Sequence, residues 1–139
     1  MASEKSFNEK LIDEFRENDG IVGGMFAGRP MMLLTTTGAK SGQQRTHPLV
    51  YTTDDDRMVI IASKGGADTN PDWYYNLKAN PAVTVEVGAE TFPAQATITE
   101  GAERKRLFDL QAALMPAFAD YEQKTTREIP VIVLERDGA

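Results

Sequence analysis

Apolar residues recur along this chain with two different spacings, which divide it into a helical start and a body of strands. Between Ser6 and Asn18 they recur every three or four positions, as on one face of an α-helix, and this pattern ends near Gly20. Farther along they form short continuous or alternating runs bounded by glycine, proline and aspartate, which is typical of β-strands. We therefore predict an N-terminal amphipathic helix with its tail over residues 1–20 and a second unit over residues 21–139.

The second unit is predicted to contain six strands and two helices. The expected strands are Met31–Thr37, Arg45–Thr53, Met58–Ser63, Val83–Val87, Ala94–Ile98 and Ile129–Leu134, and the expected helices are Pro71–Ala79 and Glu103–Leu114. Met58–Ser63 is mostly apolar, which indicates burial on both faces, whereas Val83–Val87 alternates and indicates a half-buried strand. Mostly antiparallel strands with few helices favour a mainly β fold with flanking helices (α+β), closed into a small barrel because closure hides the sheet edges.

Three local patterns complete this prediction. Gly38 and Gly42 suit a tight connection between the first two strands. The run Asp54–Asp56 is expected to be a solvated hairpin tip with no further role. The last helix is expected to carry three leucines on one side, namely Leu107, Leu110 and Leu114.

The composition excludes several classes of function. With 139 residues, of which 41% are apolar, the chain is long enough to bury a core, and its formal net charge of −6 argues against nucleic acid as a general partner. The absence of cysteine excludes thiolate metal sites and Cys nucleophiles, and the single histidine, His47, argues against a His-based metal site. No apolar run is long enough to span a membrane and the charged start is not a signal peptide. We expect a cytoplasmic protein whose membrane contact, if any, is peripheral.

Acidic residues are segregated away from one part of the sequence. The chain has 21 of them, yet the stretches Ile21–Thr53 and Arg57–Ala67 contain none. Arg57 opens the second stretch, and the two stretches also carry the basic residues Arg29, Lys40, Arg45 and Lys64. A basic region without nearby carboxylates is what a small anionic ligand needs, because acids would cancel the attraction.

Three segments are candidates for the pocket that binds such an anion. The glycine-rich turn within residues 35–46 offers backbone amides together with a lysine, a serine and an arginine, although it lacks the P-loop spacing. Residues 62–66 leave the buried strand with a lysine and paired glycines. At residues 70–77, Asn70 can cap a helix and Pro71 suits its first position, so a helix N-terminus is expected to face the pocket. Each segment also has a purely structural interpretation, as a hairpin turn, a surface loop or a half-buried helix.

Two side chains near these segments keep two interpretations each. Trp73 is suited to stack over a planar ligand ring, but an aromatic residue on a half-buried helix is more often part of the core. His47 suits a hydrogen bond to such a ring, but it is more often satisfied within the sheet.

Taken in order, these segments resemble the deazaflavin-dependent nitroreductase family, whose cofactor is coenzyme F420. The resemblance is carried by Leu33–Gly42, by Arg45 with Pro48 and Leu49, and by Ala62–Ala67, Asn70–Tyr74, Asn76–Pro81 and Arg127–Val131. It spans Met31 to Leu134, and the ordered set is specific although each piece alone is weak. The resemblance implies a split β-barrel related to flavin reductases and pyridoxamine oxidases, and a two-electron reductase that takes a hydride from the reduced cofactor.

The resemblance also implies which residues bind the cofactor. Its phosphate and glutamate tail are expected at the Ala39 backbone and at Lys40, Ser41 and Arg45. Its ring is expected along Thr46, His47, Pro48, Leu49 and Val50, and along Ile61, Ala62, Ser63 and Lys64. The tail side is expected to be closed by Asp72, Trp73, Tyr74, Tyr75 and Asn76. No metal is expected.

The substrate side of the ring departs from the family pattern. Family members often carry a tyrosine three residues before the position of Tyr121, and this chain has Phe118 there. Phenylalanine cannot donate a proton, so Tyr121 is the candidate donor, and the equal alternative is that Tyr121 packs under the C-terminal strand. Phe118 and Met115 make this side apolar, which suits flat hydrophobic acceptors and argues against reduction of nitroimidazoles.

Three functional hypotheses follow. The first is a reductase that uses reduced F420 as hydride donor to quinones, enones or nitroaromatic compounds. The second keeps the fold but binds FMN, whose single phosphate needs fewer cations. The third is a non-catalytic binding protein for F420 or for a hydrophobic or haem-like ligand. A homodimer is possible in each case, since related barrels commonly pair.

Overall fold

A computed structural model of the chain describes residues 7–21, 23, 30–63 and 69–137, with side chains from residue 9 onward. The helices are α1 (Phe7–Glu17), α2 (Asp72–Ala79), α3 (Gly101–Leu114) and α4 (Ala117–Gln123), and the strands are β1 (Met31–Thr37), β2 (Gln44–Val50), β3 (Thr52–Asp54), β4 (Arg57–Ile61), β5 (Ala82–Val87), β6 (Glu90–Ile98) and β7 (Val131–Arg136). The predicted ligand residue Lys64 and the basic residue Arg29 lie outside the described residues.

All seven strands form one antiparallel sheet in the order β2-β1-β5-β6-β7-β4-β3. Its edge strands β2 and β3 are separated in sequence by Tyr51 alone, so the sheet curls until its two edges meet. The predicted strand Arg45–Thr53 is therefore two strands, and the Tyr51 amide donates to the carbonyl oxygen of Pro30 at 3.2 Å instead of continuing a ladder. The curled sheet confirms the predicted split β-barrel.

Strand β4 is buried on both faces, as predicted. Met58 and Ile60 belong to the inner core of the curled sheet, whereas Val59 and Ile61 face a second core beneath α3 and α4. Burial on both faces explains why the sequence of this strand is continuously apolar rather than alternating.

Helix α3 confirms the predicted apolar face only in part, because Leu110 packs against the second core but Leu114 does not. Leu107, Phe108 and Gln111 are buried, whereas Leu114 is 65% exposed. The chain turns at Met115, and the apolar residues of α4, a helix that the sequence pattern does not predict, cover the sheet in place of Leu114.

The β3–β4 hairpin tip is also more than a solvated turn. Both carboxylate oxygens of Asp54 accept hydrogen bonds from the Arg106 guanidinium at 3.1 and 2.9 Å, and Asp54 also pairs with Arg57. Arg57 in turn donates to Glu103 at 2.9 Å. These cations, Arg106 first, hold the pKa of the Asp54 carboxyl well below its usual range. The network ties the hairpin to α3, so the prediction of a tip with no further role is wrong for Asp54.

Helix α1 packs on the outside of the sheet by the apolar stripe that the sequence predicts. Leu11 and Phe15 are buried against Met31 and Leu33 of β1. The Arg16 guanidinium, on the polar side, makes two hydrogen bonds to the Glu86 carboxylate at 3.0 and 2.8 Å. The amphipathic helix therefore covers its own chain.

Candidate functional site: two joined cavities

A cavity of about 830 Å³ lies between the β1–β2 turn and α2. It is lined by Gly38, Ala39, Lys40, Ser41, Arg45, His47, Asp72, Tyr75 and Asn76. We call it the cationic cavity, because Lys40 and Arg45 line it and neither forms an ion pair with a described residue. Its one acidic lining residue, Asp72, comes from outside the acid-free stretches of the sequence.

The β1–β2 turn has a closed backbone that presents its side chains to this cavity. The Gly38 amide donates to the Gln43 carbonyl at 2.8 Å, and the Gly42 amide donates to the Gly38 carbonyl at 3.1 Å. Gly42 has φ +71°, a conformation that favours glycine, and a Cβ added to Gly38 would lie 2.5 Å from the Ser41 hydroxyl. The two glycines thus allow a turn tight enough to place Lys40 and Ser41 at its tip.

Helix α2 is fastened to this turn by asparagine side chains. The Asn76 side-chain oxygen accepts from the Ala39 amide at 3.0 Å, and its nitrogen donates to the Thr36 hydroxyl at 3.2 Å. Asn80 donates to the Thr37 carbonyl at 3.4 Å. The Ala39 amide, which was expected to bind a ligand, is therefore already engaged, and a ligand that used it would have to displace Asn76.

A second cavity of about 400 Å³ is assembled from residues far apart in sequence. It is lined by His47, Pro48, Leu49, Val50, Ser63, Pro71, Asp72, Trp73, Phe118 and Tyr121. We call it the aromatic cavity. Phe118 and Tyr121 meet edge to face with ring centroids 5.3 Å apart, and the Lys124 amine lies 5.7 Å from the centre of the Tyr121 ring. A flat apolar molecule is the ligand that such a lining favours.

Arg127 joins two of the segments that build the aromatic cavity. Its guanidinium donates to the Ser63 carbonyl at 2.9 Å, to the Ala62 carbonyl at 3.2 Å and to the Asn70 side-chain oxygen at 2.6 Å. The end of β4 is thereby held against the start of α2. Asn70 is occupied by this contact and is not the helix cap that the sequence predicts; the cap position is Pro71, without a side-chain hydrogen bond. The sequence shows Arg127 only as part of the family resemblance, since its partners are distant in the chain.

His47 and Asp72 line both cavities and therefore lie where the two join. The His47 Nε2 atom is enclosed by protein and has no hydrogen-bond partner among the described residues. Burial lowers the pKa of His47. The negative charge of Asp72 partly offsets this lowering, and the positive charge of Arg45 adds to it. The imidazole is therefore neutral at pH 7. Of the two interpretations of His47, the one in which it is satisfied within the sheet therefore does not account for the Nε2 atom among the described residues.

Most of the predicted ligand residues in the described part of the chain line one cavity or the other. The exceptions are Thr46, Ile61, Ala62 and Tyr74. The Thr46 hydroxyl shares a 2.8 Å hydrogen bond with that of Thr35, Ile61 and Ala62 are buried in the core, and the Tyr74 ring packs edge to face on Tyr75. Gly38 and Pro71 line the cavities although they were not among the predicted ligand residues.

Neither a metal centre nor a membrane span is found in the part of the chain that the structure describes. Its His, Asp and Glu side chains form no group of three or more that could hold a metal ion. None of its helices is long and apolar enough to cross a membrane. The predicted cytoplasmic location stays a prediction.

A curled antiparallel half-barrel in which a cationic cavity opens into an aromatic one places this chain in the split-barrel class of proteins. The chain belongs to the F420H(2)-dependent quinone reductase family, whose model matches residues 9–136. The resemblance found in the sequence is thus confirmed at the level of the family.

Individual relatives agree with this assignment. The F420H(2)-dependent quinone reductase Rv1261c of Mycobacterium tuberculosis is 40% identical over 128 residues, which cover 88% of this chain and 85% of the relative. The solved structure of the F420-H2 dependent reductase FDR-A is 44% identical, with a TM-score of 0.71 over 77% of this chain and 95% of that one. A structure described as a domain-swapped dimer is 40% identical, with a TM-score of 0.73 over 91% and 93% of the two chains. A pyridoxamine 5′-phosphate oxidase fold from Listeria innocua, 11% identical with a TM-score of 0.55, confirms the fold class alone.

Proposed function

We propose that this chain binds coenzyme F420 with its phosphate and glutamate tail in the cationic cavity and its ring in the aromatic cavity, and that it reduces quinones or similar flat acceptors. The observation that carries the proposal is the junction of the two cavities at His47 and Asp72. One long ligand with an anionic end and a flat end fits this pair of contrasting surfaces. Neither surface alone would select such a molecule.

The charges of the cationic cavity suit the anionic end of the cofactor. Arg45 is exposed, and its only hydrogen bond to a described residue is a 3.4 Å contact with the Gln43 side chain. Lys40 is exposed at the tip of the turn. A guanidinium offers the fork of donors that phosphate and carboxylate accept, while the ammonium adds a point charge. We assign the tail to Lys40, Ser41 and Arg45 on this basis.

The aromatic cavity suits the ring. Pro48, Leu49 and Val50 provide an apolar lining from β2, and Trp73, which is 5% exposed, provides a rigid aromatic surface from α2. The unpartnered His47 Nε2 supports a ligand with polar groups at this place, because burying a polar atom without a partner costs about 1–3 kcal/mol. A bound polar group removes that cost.

The cofactor and the protein contribute different parts of the proposed reaction. When bound, the reduced deazaflavin supplies a hydride, so the residues of this chain need only bind, orient and exclude water. Phe118 and Trp73 are buried and exclude water from the acceptor side. The half-buried Tyr121 carries a hydroxyl in the lining that can hold a proton for the reduced acceptor, which Phe118 cannot.

Arg45→Ala tests the position of the tail. We expect the dissociation constant for F420, followed by the fluorescence of the oxidised cofactor, to rise by about 10- to 100-fold, the equivalent of about 1–3 kcal/mol for a charged hydrogen bond. Arg136→Ala is the matched control, because Arg136 is an exposed arginine that pairs with Glu90 and lines neither cavity. Equal affinities of wild type and Arg45→Ala would contradict the placement.

Anaerobic reoxidation of reduced F420 with menadione or an enone tests the reaction. A proton-donating role for Tyr121 predicts slower turnover in Tyr121→Phe at an unchanged cofactor affinity. Absence of turnover with any acceptor, while the cofactor binds, would favour a binding protein over a reductase. Self-association stays a prediction, since the domain-swapped dimer is a property of the neighbour.

A further inference from the structure

We propose that His47 and Asp72 form a subsite for a neutral, hydroxylated chain, namely the polyol that joins the ring of the deazaflavin to its phosphate. This inference rests on the proposed function. It concerns the junction of the two cavities rather than either end, and it assigns to Asp72 the selection of uncharged hydroxyl groups over phosphate.

The position of the pair decides what it can touch. His47 and Asp72 line the cationic cavity together with Lys40, Ser41 and Arg45, and they also line the aromatic cavity together with Trp73 and others. A ligand that spans both cavities must pass along these two side chains. In a deazaflavin cofactor the part between ring and phosphate is a chain of hydroxyl-bearing carbons, so the junction faces hydroxyl groups.

The charge of Asp72 would be a disadvantage at a phosphate site. Asp72 is an exposed carboxylate at the first residue of α2, and it forms no ion pair with a described residue. A carboxylate repels an adjacent phosphate, but it accepts hydrogen bonds from hydroxyl groups. An acid at this one place keeps the phosphate toward Lys40 and Arg45 and leaves the junction to the polyol.

His47 complements this carboxylate. A neutral imidazole has one donor and one acceptor nitrogen, which is the pairing that hydroxyl groups require. The ring is kept neutral by its burial, and the charged groups that act on it are Asp72 from α2 and Arg45 from its own strand. Its Nε2 atom has no hydrogen-bond partner among the described residues, and a ligand hydroxyl that reached it would supply one.

Binding of two phosphate-free ligands tests the subsite without any turnover. One is the deazaflavin ring with its natural polyol chain, and the other is the same ring with a pentyl chain. Fluorescence titration of Asp72→Ala and His47→Phe should show an affinity for the polyol compound about tenfold below that of wild type, the loss expected for one hydrogen bond to a charged or buried group. The affinity for the pentyl compound should stay within about twofold.

A conservative variant separates hydrogen bonding from charge. Asp72→Asn keeps an acceptor oxygen and should retain polyol affinity within about threefold, while binding the full phosphate-bearing cofactor at least as tightly as wild type. Asp120→Ala is the matched control, because Asp120 is likewise an exposed acid in the first turn of a helix but lines neither cavity. It should bind all three ligands as wild type does.

The outcomes distinguish this subsite from the function on which it rests. If Asp72→Ala and His47→Phe weaken the binding of the pentyl and polyol compounds equally, or weaken the binding of neither, the proposed subsite is wrong. The proposal that the chain binds F420 is unaffected by that result. If wild type binds neither the phosphate-free compounds nor F420, the proposed function fails and the subsite with it. Selective loss of the polyol compound supports both.

Discussion

The two cavities of this protein are built in different ways. Most of the cationic cavity comes from one short turn and the strand that follows, so its chemistry is local in the sequence. The aromatic cavity brings together β2, the end of β4, the start of α2 and α4, which meet only because the sheet curls. Recognition of charge can therefore be altered without affecting the fold, whereas the shape of the ring site depends on the whole architecture.

The largest effect on F420 affinity is expected from removing both cations of the cationic cavity. Lys40→Ala combined with Arg45→Ala should weaken F420 binding by about 2–5 kcal/mol, because each side chain contributes about 1–3 kcal/mol through charged hydrogen bonds. Thermal unfolding should be almost unchanged, since both side chains are exposed. Calorimetric titration and a melting curve measure the two quantities.

A ligand without phosphate provides the control for the double variant. The phosphate-free deazaflavin should bind wild type and variant with equal affinity, because it does not reach the two cations. A parallel loss for that ligand, or a large drop in melting temperature, would show that the turn is not separable from the fold.

The second effect concerns the aromatic cavity, where one substitution should lower both the stability of the fold and the affinity for the ring. Arg127→Ala removes the three hydrogen bonds that join β4 to α2, and we expect the free energy of unfolding to fall by about 2–4 kcal/mol. Affinity for the phosphate-free deazaflavin should fall as well, because Ser63 and Asp72 would lose their spacing. Denaturant unfolding and fluorescence titration measure the two losses.

Two comparisons separate positioning by Arg127 from general damage. Millimolar guanidinium ion should partly restore the ring affinity of Arg127→Ala, whereas Arg127→Lys should not, because one ammonium cannot reach all three acceptors. Arg136→Ala, a change to an exposed arginine that lines neither cavity, should leave the ring affinity unchanged. A variant that loses stability but keeps its full ring affinity would refute the positioning role.

This difference also explains what could be predicted from the sequence. The bounds of β1 and the pocket residues Lys40, Ser41 and Arg45 were predicted correctly, because apolar runs and a glycine-rich turn are local patterns. The break at Tyr51 depends on the Pro30 carbonyl, which no local pattern reveals. The clamp by Arg127 depends on carbonyls more than sixty residues away in sequence.

A third, smaller effect tests the packing beneath the aromatic cavity. Gln111 is fully buried in α3, and neither polar atom of its side chain has a partner among the described residues. Gln111→Met replaces this amide with an apolar side chain of similar length and should raise the free energy of unfolding by about 1–2 kcal/mol. Gln123→Met, at an exposed position of α4, is the matched control and should be neutral. A destabilised Gln111→Met would contradict this expectation, because it would show that the amide makes favourable interactions that the described residues do not account for.

The smallest effect concerns His47, which belongs to both cavities. Because its pKa is lowered in the folded protein, the unfolded chain takes up a proton first as the pH falls, and the fold loses stability. The loss begins near the unfolded pKa of about 6.5 and ends below the folded pKa, and it should be small because the imidazole is only half buried. Above that window His47 is neutral in both states and contributes nothing.

The chain has a single histidine, so the pH effect can be isolated. The pH dependence of the imidazole proton signals in NMR spectra should give the pKa of His47 in the folded protein. The difference in unfolding free energy between wild type and His47→Phe should change with pH only between the folded and unfolded pKa values. Bound F420 should shift the His47 pKa upward, because the proposed position of its phosphate in the cationic cavity brings negative charge near the imidazole. The phosphate-free deazaflavin should not shift it upward, since a polyol partner adds no charge. An equal upward shift with both ligands would mean that the ring, rather than the anionic tail, changes the pKa of His47. That result would contradict the assignment of the tail to the cationic cavity.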